Sequence, residues 1–329
     1  MSKILLNPGP TNTRFMTKVR QWIGSDICHR EQDFKDVLTS LQKKLLSCVD
    51  FGEEGRVAIM CGSGTAAMEA MIASLAPSGL TVVKAGSYGE RACQMLDTFD
   101  IQKTVIDSAT IEDLSTCKKA RYVYFVENET STGEHYSLEK MCKIYPNARF
   151  FIDATSAFGA SDYKLAGHRI AALSLCSNKC LQSTPGLGIV LWNASLNTYN
   201  RTFYGDLTKY DIGSLPFTLP TQSIYALEYT IDRSSKNKDL FDERKNRLIR
   251  EMERIGIKSL NKHPSNSIVA FKHPKMQYQD LHDFLLKRGI VIYSGVEGIE
   301  NSFRVSTMST KFDKKFKKII RAFDETCLH

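Results

Sequence analysis

The sequence predicts an α/β fold in which a mostly parallel, seven-stranded sheet forms a large domain and a smaller α+β C-terminal domain follows it. Two observations support this prediction. Between residues 56 and 192, seven short apolar runs alternate with helix-like segments, a pattern typical of parallel strands that helices cover on both faces. After about residue 221 the pattern changes to longer helices with short strands between them, which is typical of an α+β arrangement.

The strands of the large domain are predicted from short, continuously apolar runs. They cover residues 57–60, 80–83, 104–106, 122–126, 149–152, 171–176 and 188–192. Helices are predicted over residues 65–75 and 90–96, and another begins near Leu138. Because ligands of such sheets bind at the carboxyl ends of the strands, polar residues just after these runs are the first candidates for a functional site.

The C-terminal part contains helices and strands in a different order. Helices are predicted over residues 221–231, 241–255, 281–287 and 312–323, and strands over residues 268–271, 291–293 and 303–305. In the helix 241–255, Leu248, Met252 and Ile255 share one face and Gly256 follows the end, as in an amphipathic helix with a glycine cap. We expect residues 16–232 to form the large domain, and residues 1–15 and 233–329 to form the small one.

The composition is that of an ordinary globular protein, with 329 residues of which 42% are hydrophobic and 24% charged. The net charge is +8, but the basic residues are spread over several helices. The densest basic run, residues 311–318, is predicted to be one solvated face of the last helix. We therefore predict no nucleic-acid partner, whereas a small acidic substrate suits the sign of the charge.

The nine cysteines show no paired framework, so we expect reduced, mostly buried thiols and a cytoplasmic location. Cys176 and Cys180 have a CxxxC spacing without a nearby histidine, and we expect no metal site there. The N-terminal apolar run is too short for a signal peptide. No apolar stretch reaches about 18 residues, so we predict no membrane-spanning helix.

A lysine and an aspartate each come just after a predicted buried strand. Asp153 follows the run 149–152, and Lys179 follows the run 171–176. Taken alone, Asp153 could merely cap a helix, and a lysine at a strand end is usually solvated. Together they match the needs of pyridoxal phosphate (PLP), which requires an amine to hold its aldehyde as a Schiff base and a carboxylate to keep its pyridine nitrogen protonated.

Three other strand ends supply the remaining contacts of such a cofactor. Gly62-Ser63-Gly64-Thr65 joins a strand to a helix and forms either an anion site or only a tight loop. Gly86-Ser87-Tyr88-Gly89 either projects Tyr88 over a flat ligand or is a surface turn. Glu129-Thr130-Ser131-Thr132-Gly133 adds hydroxyl groups. In order, the strand ends therefore provide phosphate donors, an aromatic ring, hydroxyls, a carboxylate and an amine.

These segments also resemble a known family, the class V aminotransferases of fold type I, and within it the 2-aminoethylphosphonate–pyruvate aminotransferases. The resemblance runs from end to end of the chain and in order. Besides the segments above, it includes Asn7-Pro8-Gly9-Pro10, His29-Arg30, Asp153-Ala154-Thr155-Ser156-Ala157-Phe158-Gly159, Ser177-Asn178-Lys179-Cys180-Leu181-Gln182, Phe217-Thr218-Leu219-Pro220-Thr221 and Phe303-Arg304-Val305. Each motif alone is a weak signal. The assignment to the family depends on their occurring in the same order along the whole chain.

The resemblance implies a role for each matching residue. It implies that Lys179 is catalytic, forming the Schiff base and moving the proton between the substrate Cα and the cofactor. It implies cofactor contacts for Ser63, Gly64 and Thr65 (phosphate), Tyr88 (ring stacking), Thr130 (phenolic oxygen), Asp153 (ring nitrogen), Ser177, and Thr218, which would reach the phosphate of a neighbouring subunit in a homodimer. It implies substrate contacts for Gly9, His29, Arg30 and Arg304, of which Arg304 would clamp the substrate carboxylate.

The function implied is a PLP-dependent transamination between 2-aminoethylphosphonate and pyruvate, in either direction, with a small amino donor and a keto-acid acceptor as partners. The alternative is an alanine– or serine–glyoxylate (or pyruvate) aminotransferase with the same site. A cysteine desulfurase needs a mobile cysteine before the small-domain strands, and residues 257–302 contain none. A catalytically dead scaffold would lack the lysine, the aspartate or the arginine, and all three are present.

Overall fold

The computed structural model describes residues 3–22, 27–108, 119–164, 166–234 and 237–328. Its helices are α1 Phe15–Trp22, α2 Gln32–Leu46, α3 Gly64–Leu75, α4 Ser87–Thr98, α5 Leu138–Ile144, α6 Thr221–Ser234, α7 Asn237–Arg254, α8 Tyr278–Lys287 and α9 Phe312–Leu328. Its strands are β1 Ile4–Leu5, β2 Gly55–Cys61, β3 Leu80–Lys84, β4 Lys103–Asp107, β5 Tyr122–Val126, β6 Asn128–Glu129, β7 Glu134–His135, β8 Arg149–Asp153, β9 Ile170–Cys176, β10 Leu187–Asn193, β11 Lys258–Ser259, β12 Ile268–Lys272, β13 Ile290–Val291, β14 Tyr293–Ser294 and β15 Ser302–Ser306.

A seven-stranded sheet forms the centre of the larger part, with the strand order β2-β10-β9-β8-β5-β3-β4. Strand β10 is antiparallel to both of its neighbours, and the other pairs are parallel. The mostly parallel α/β sheet predicted from the apolar runs is therefore confirmed. Because parallel strands point the same way, β5, β8 and β9 all end at one edge of the sheet.

Helices cover both faces of this sheet, which is why its strands are apolar throughout. Alternate residues face opposite sides, so Val57 and Ile59 lie in one core while Ala58 and Met60 lie in the other. The first core includes the buried faces of α2 and α6, and the second those of α3 and α4. Burying one such aliphatic side chain contributes about 1.5–3 kcal/mol, so these two cores hold the strand ends in place.

The smaller part is built on a four-stranded antiparallel sheet with the order β11-β12-β15-β14. Strand β1, near the N-terminus, pairs in parallel with β13. Ile4 and Leu6 share a core with Phe303 and Phe323. We propose that residues 1–15 and 233–329 form one domain and residues 16–232 the other; the pairing of β1 with β13 supports this division.

The structure differs from the sequence predictions at some element ends. Helix α4 begins at Ser87 rather than at Glu90, so Tyr88 lies in the first turn of a helix and not in a loop. The single strand predicted over 291–293 is two short strands, β13 and β14, and helices α1 and α2 were not predicted. Among the described residues, no helix is long and apolar enough to cross a membrane.

Candidate active site

A cavity of about 180 Å³ opens where β5, β8 and β9 end. Their last residues, Val126, Asp153 and Cys176, form part of its wall. The full lining is Ser63, Gly64, Thr65, Met68, Tyr88, Arg91, Val126, Asn128, Thr130, Asp153, Thr155, Ser156, Cys176, Asn178 and Lys179. Seven of the predicted site residues are among them: Ser63, Gly64, Thr65, Tyr88, Thr130, Asp153 and Lys179.

Lys179 lies in the turn after β9, with the backbone of Gly9 directly against its side chain. A Cβ atom at Gly9 would lie 2.9 Å from Cδ and 3.3 Å from Nζ of Lys179, and Gly9 has a φ of +140°. Glycine is therefore required here both for space and for backbone conformation. Burial lowers the pKa of the Lys179 amine, which makes the neutral, nucleophilic form more available.

Asp153 is 3% exposed, and its Oδ1 atom accepts a hydrogen bond from the backbone N–H of Thr155 at 2.9 Å. Burial raises the pKa of this carboxyl to about 6, against the lowering effects of Thr155 and Lys179. A buried carboxylate is costly without a cationic partner. The arrangement therefore favours a ligand that brings a protonated nitrogen to this wall.

The N-terminus of α3 forms another wall of the cavity. Ser63 is the N-cap residue, yet its hydroxyl makes no capping hydrogen bond, so it is free to face a ligand. Gly64 is held close to Thr155, since an added Cβ would lie 2.7 Å from Thr155 Cγ2. Free N–H groups and hydroxyls at a helix N-terminus bind anions such as phosphate.

Tyr88 is positioned by Glu129, although the two residues are far apart in the chain. The Glu129 carboxylate accepts hydrogen bonds from the backbone N–H groups of Gly89 at 3.2 Å and Ser131 at 3.1 Å. Ser131 Oγ accepts a further one from the N–H of Ser87 at 2.9 Å. These contacts cap the start of α4 and hold Tyr88 at the cavity wall. No local sequence pattern indicates this role of Glu129.

Thr130 belongs to a buried hydrogen-bond network. Its Oγ1 atom lies 2.9 Å from Ser156 Oγ, which donates to the carbonyl of Asn128 at 2.9 Å. Asn128 Nδ2 donates to Ser267 Oγ at 3.0 Å, and its Oδ1 is 2.7 Å from His135 Nδ1. Burial lowers the pKa of His135 to about 4, so the ring is neutral and its Nδ1–H donates to Asn128. The network fixes the Thr130 side of the cavity.

Arg304, on β15, lies beside the cavity and is 7% exposed. Its Nε donates to the carbonyl of Ser294 at 2.6 Å, and its Nη1 donates to the carbonyl of Thr130. Both acceptors are neutral, and no carboxylate of the described residues forms an ion pair with this arginine. A buried guanidinium without a counter-ion is suited to bind a carboxylate with two parallel hydrogen bonds.

The remaining predicted residues do not line the cavity. Ser177 is fully buried, and its hydroxyl donates to the carbonyl of Thr184 at 2.6 Å, which fastens the turn that carries Lys179. Thr218 and Arg30 are exposed, and His29 is half-buried with no partner for Nε2 among the described residues. Conversely, Arg91 lines the cavity but was not predicted, because it lies one helical turn after Tyr88 only if α4 begins at Ser87 rather than at Glu90.

Comparison with known proteins agrees with this geometry. The family model described as aminotransferase class-V matches residues 95–322. The chain belongs to the class-V aminotransferases. It is 26% identical to the 2-aminoethylphosphonate–pyruvate transaminase of Bacillus cereus, with 96% of each chain covered.

Solved structures show that this class-V aminotransferase shares its fold with other aminotransferases. An aspartate aminotransferase of subgroup IV from Thermus thermophilus superposes with a TM-score of 0.88 at 23% identity, covering 98% of each chain. An alanine–glyoxylate aminotransferase from Nostoc sp. also gives 0.88, at 20% identity, covering 100% of this chain and 96% of the other. The predicted fold class, family and enzyme class are therefore confirmed.

Class-V aminotransferases are PLP enzymes, so PLP is the cofactor of this one. The residues present fit the group. A lysine amine with a lowered pKa and a buried carboxylate lie in one cavity, an aromatic ring forms a side wall, and a helix N-terminus with an unused hydroxyl is available for the phosphate. Gly9 leaves room beside Lys179 that any other side chain would fill.

Proposed function

We propose that this aminotransferase transfers an amino group between 2-aminoethylphosphonate and pyruvate, in either direction. The observation that carries the amino transfer is that Lys179 and Asp153 line one cavity, with Arg304 beside it. The name of the Bacillus cereus relative supports the substrates. The alternative is an alanine– or serine–glyoxylate (or pyruvate) aminotransferase, and the fold likeness to the Nostoc enzyme supports it.

When bound, PLP supplies an aldehyde for the lysine amine and a ring that withdraws electrons from the Cα of the amino donor. Lys179 is the base, because its buried amine is neutral more readily than an exposed lysine and can take the Cα proton and return it. Asp153 would hold a proton on the ring nitrogen of the bound cofactor through a charge-assisted hydrogen bond. Tyr88 would stack on the ring, and Thr130 would bind its phenolic oxygen.

The anionic groups of the ligands go to two places. Ser63, Gly64 and Thr65 bind the cofactor phosphate at the N-terminus of α3. Arg304 binds the carboxylate of the keto acid, and a groove of about 650 Å³ lined by Arg91 and Arg304 gives the substrate access. Gly9 lies against the Lys179 side chain and is proposed to contact the substrate there. His29 and Arg30 are proposed to contact the far end of the substrate, and Ser177 to support the cofactor through the Lys179 turn.

We propose a homodimer in which Thr218 reaches the cofactor phosphate of the other subunit. Its exposure supports this, as does the exposed aromatic group beside it. Phe203 is 74% exposed, and the rings of Tyr204 and Phe217 lie 4.7 Å apart. Sedimentation of the purified enzyme tests the homodimer. Mixing Lys179→Ala subunits with Thr218→Ala subunits tests the shared site. The described cysteines are all free thiols, which supports the proposal that the enzyme is cytoplasmic.

The experiment that tests the function combines a spectrum with an activity panel. Lys179→Ala should abolish both the visible absorbance of the lysine-bound cofactor and all transamination, while the folded state is retained. Wild-type enzyme should turn over 2-aminoethylphosphonate with pyruvate faster than alanine or serine with glyoxylate. Equal or faster turnover of serine or alanine would overturn the phosphonate assignment and favour the alternative.

A further inference from the structure

Arg91 is a charged residue of the cavity wall that takes no part in the proposed amino transfer. It lies on α4 and lines the cavity together with Ser63, Thr65 and Lys179. Its Nη1 atom donates a hydrogen bond to Thr65 Oγ1 at 3.0 Å. Its guanidinium carbon also lies 4.7 Å from the centroid of the Tyr88 ring. The side chain therefore joins the helix that carries the aromatic wall to the helix whose N-terminus is proposed to bind phosphate.

Among the residues that line the cavity, one cation has no counter-charge. Arg91, Asp153 and Lys179 are the charged residues of its lining. Asp153 and Lys179 are committed to the ring nitrogen and the aldehyde of the cofactor. No carboxylate of the described residues forms an ion pair with Arg91, whose contacts are the hydroxyl of Thr65 and the face of Tyr88. A phosphate group carries a charge of about −1.5 to −2 at neutral pH, and Arg91 is the lining residue that can offset it.

The hydrogen bond to Thr65 also sets the direction of that hydroxyl. A guanidinium only donates, so Thr65 Oγ1 must accept from Arg91. Its own proton is then left to donate to another acceptor. We propose that Arg91 is the phosphate-anchoring cation of this enzyme, which turns the Thr65 hydroxyl toward the cofactor phosphate and neutralises the charge of that phosphate. This inference rests on the proposed binding of the phosphate at residues 62–65.

Two other roles for Arg91 make different predictions. If Arg91 only braces Tyr88, its loss should weaken binding of any ligand that stacks on the ring, with or without phosphate. If Arg91 instead binds the anionic end of the substrate in the adjoining groove, its loss should raise the KM for the phosphonate substrate and leave cofactor binding unchanged. The hydrogen bond to Thr65, in the first turn of α3, favours the phosphate.

The test compares PLP with pyridoxal, which lacks the phosphate, in equilibrium binding to the cofactor-free full chain. Arg91→Gln should weaken PLP binding by about 10- to 100-fold, the range of one charge-assisted hydrogen bond. Its pyridoxal affinity should change by less than about twofold. Arg91→Lys should recover part of the PLP affinity, because it restores the charge without the fork geometry. Inorganic phosphate should raise the melting temperature of the cofactor-free wild type but not of Arg91→Gln.

A matched control is Arg233→Gln, because the guanidinium of Arg233 lies 4.9 Å from the Tyr229 ring in α6, outside the cavity. It should bind both ligands as the wild type does. Unchanged PLP affinity in Arg91→Gln, or an equal loss for PLP and pyridoxal, would overturn the proposal. Failure of the proposed function would look different, since alanine or serine with glyoxylate would then be turned over equally fast or faster, while the PLP and pyridoxal affinities of the wild type and of Arg91→Gln would still differ as expected.

Discussion

Asp153 and Glu127 are two buried carboxyl groups at the ends of adjacent strands, and they differ in what faces them. Asp153 ends β8, and Glu127 directly follows β5; the N–H of Glu127 donates to the carbonyl of Asp153 at 3.1 Å. The two residues are 3% and 2% exposed. Burial raises the pKa of Asp153 to about 6 and that of Glu127 to about 7.

The difference lies in the partner of each carboxyl group. Glu127 Oε2 accepts a hydrogen bond from the hydroxyl of Tyr163 at 2.5 Å, and the Tyr163 ring stacks on Phe158 in the core. Asp153 instead faces the cavity with Lys179. Burial and a raised pKa are thus shared by a carboxyl group that bonds to a core tyrosine and by one that lines the cavity. What distinguishes Asp153 is that it lines a cavity with Lys179, where we propose that the cofactor supplies its cationic partner.

The largest expected effect is a difference in kcat/KM between variants of these two residues. Asp153→Asn should lower kcat/KM by roughly a hundredfold to several thousandfold, because breaking a buried charge pair costs about 3–5 kcal/mol. Glu127→Gln keeps the hydrogen bond to Tyr163 and should change kcat/KM by less than about threefold. Steady-state kinetics and PLP titration measure both. A comparable loss in the two variants would mean that burial alone, and not the cavity, makes Asp153 important.

This contrast also shows why part of the site could be predicted from the sequence. Asp153 and Lys179 were found because parallel strands bring their carboxyl ends to one edge, and each residue follows an apolar run. The same pattern would also have selected Glu127, which follows the run 122–126. The sequence favours Asp153 over Glu127 only because the motif around Asp153 resembles that of the class V aminotransferases, and not because of any geometric argument.

Other parts of the site depend on contacts that no local pattern encodes. Gly9 lies against Lys179 although 170 positions separate them in the chain. Glu129 caps α4 from another strand end, and Arg91 meets Thr65 across two helices. The resemblance implies a cofactor contact for Ser177, but its hydroxyl donates to the carbonyl of Thr184. Strand order decides which segments meet, whereas side-chain packing decides which groups face the cavity.

A second prediction concerns the pH dependence of stability in the cofactor-free protein. Both carboxyl groups have a folded-state pKa above the ordinary values of 3.8 and 4.5. Protonation therefore favours the folded state, and the stability contribution is present below about pH 4. It is lost as the pH rises through about 6 for Asp153 and about 7 for Glu127. Each group should account for about 3 kcal/mol of unfolding free energy.

Urea unfolding of the wild type, Asp153→Asn and Glu127→Gln from about pH 4 to about pH 8 measures these contributions as differences between curves. Each substitution should remove the part of the fall in unfolding free energy that its own carboxyl group causes. This part should lie at lower pH for Asp153→Asn than for Glu127→Gln. PLP should raise the stability of the wild type at neutral pH more than that of Asp153→Asn, because only the carboxylate forms an ion pair with the protonated ring nitrogen. Parallel curves for all three proteins would contradict the raised pKa values.

The smallest of these effects extends the contrast to two buried arginines. Arg244 is 5% exposed and pairs with Asp313 through Nη2 at 2.6 Å, whereas Arg304 bonds only to neutral acceptors among the described residues. Arg304→Gln should therefore lower kcat/KM for pyruvate by about 10- to 100-fold, the value of charge-assisted hydrogen bonds to the substrate carboxylate. Arg244→Gln should instead lower the unfolding free energy by about 1.5–3 kcal/mol and leave the KM for pyruvate unchanged. If Arg304→Gln lost stability without any change in pyruvate kinetics, Arg304 would belong with Arg244 as a structural residue, and the substrate carboxylate would have to bind elsewhere along the groove.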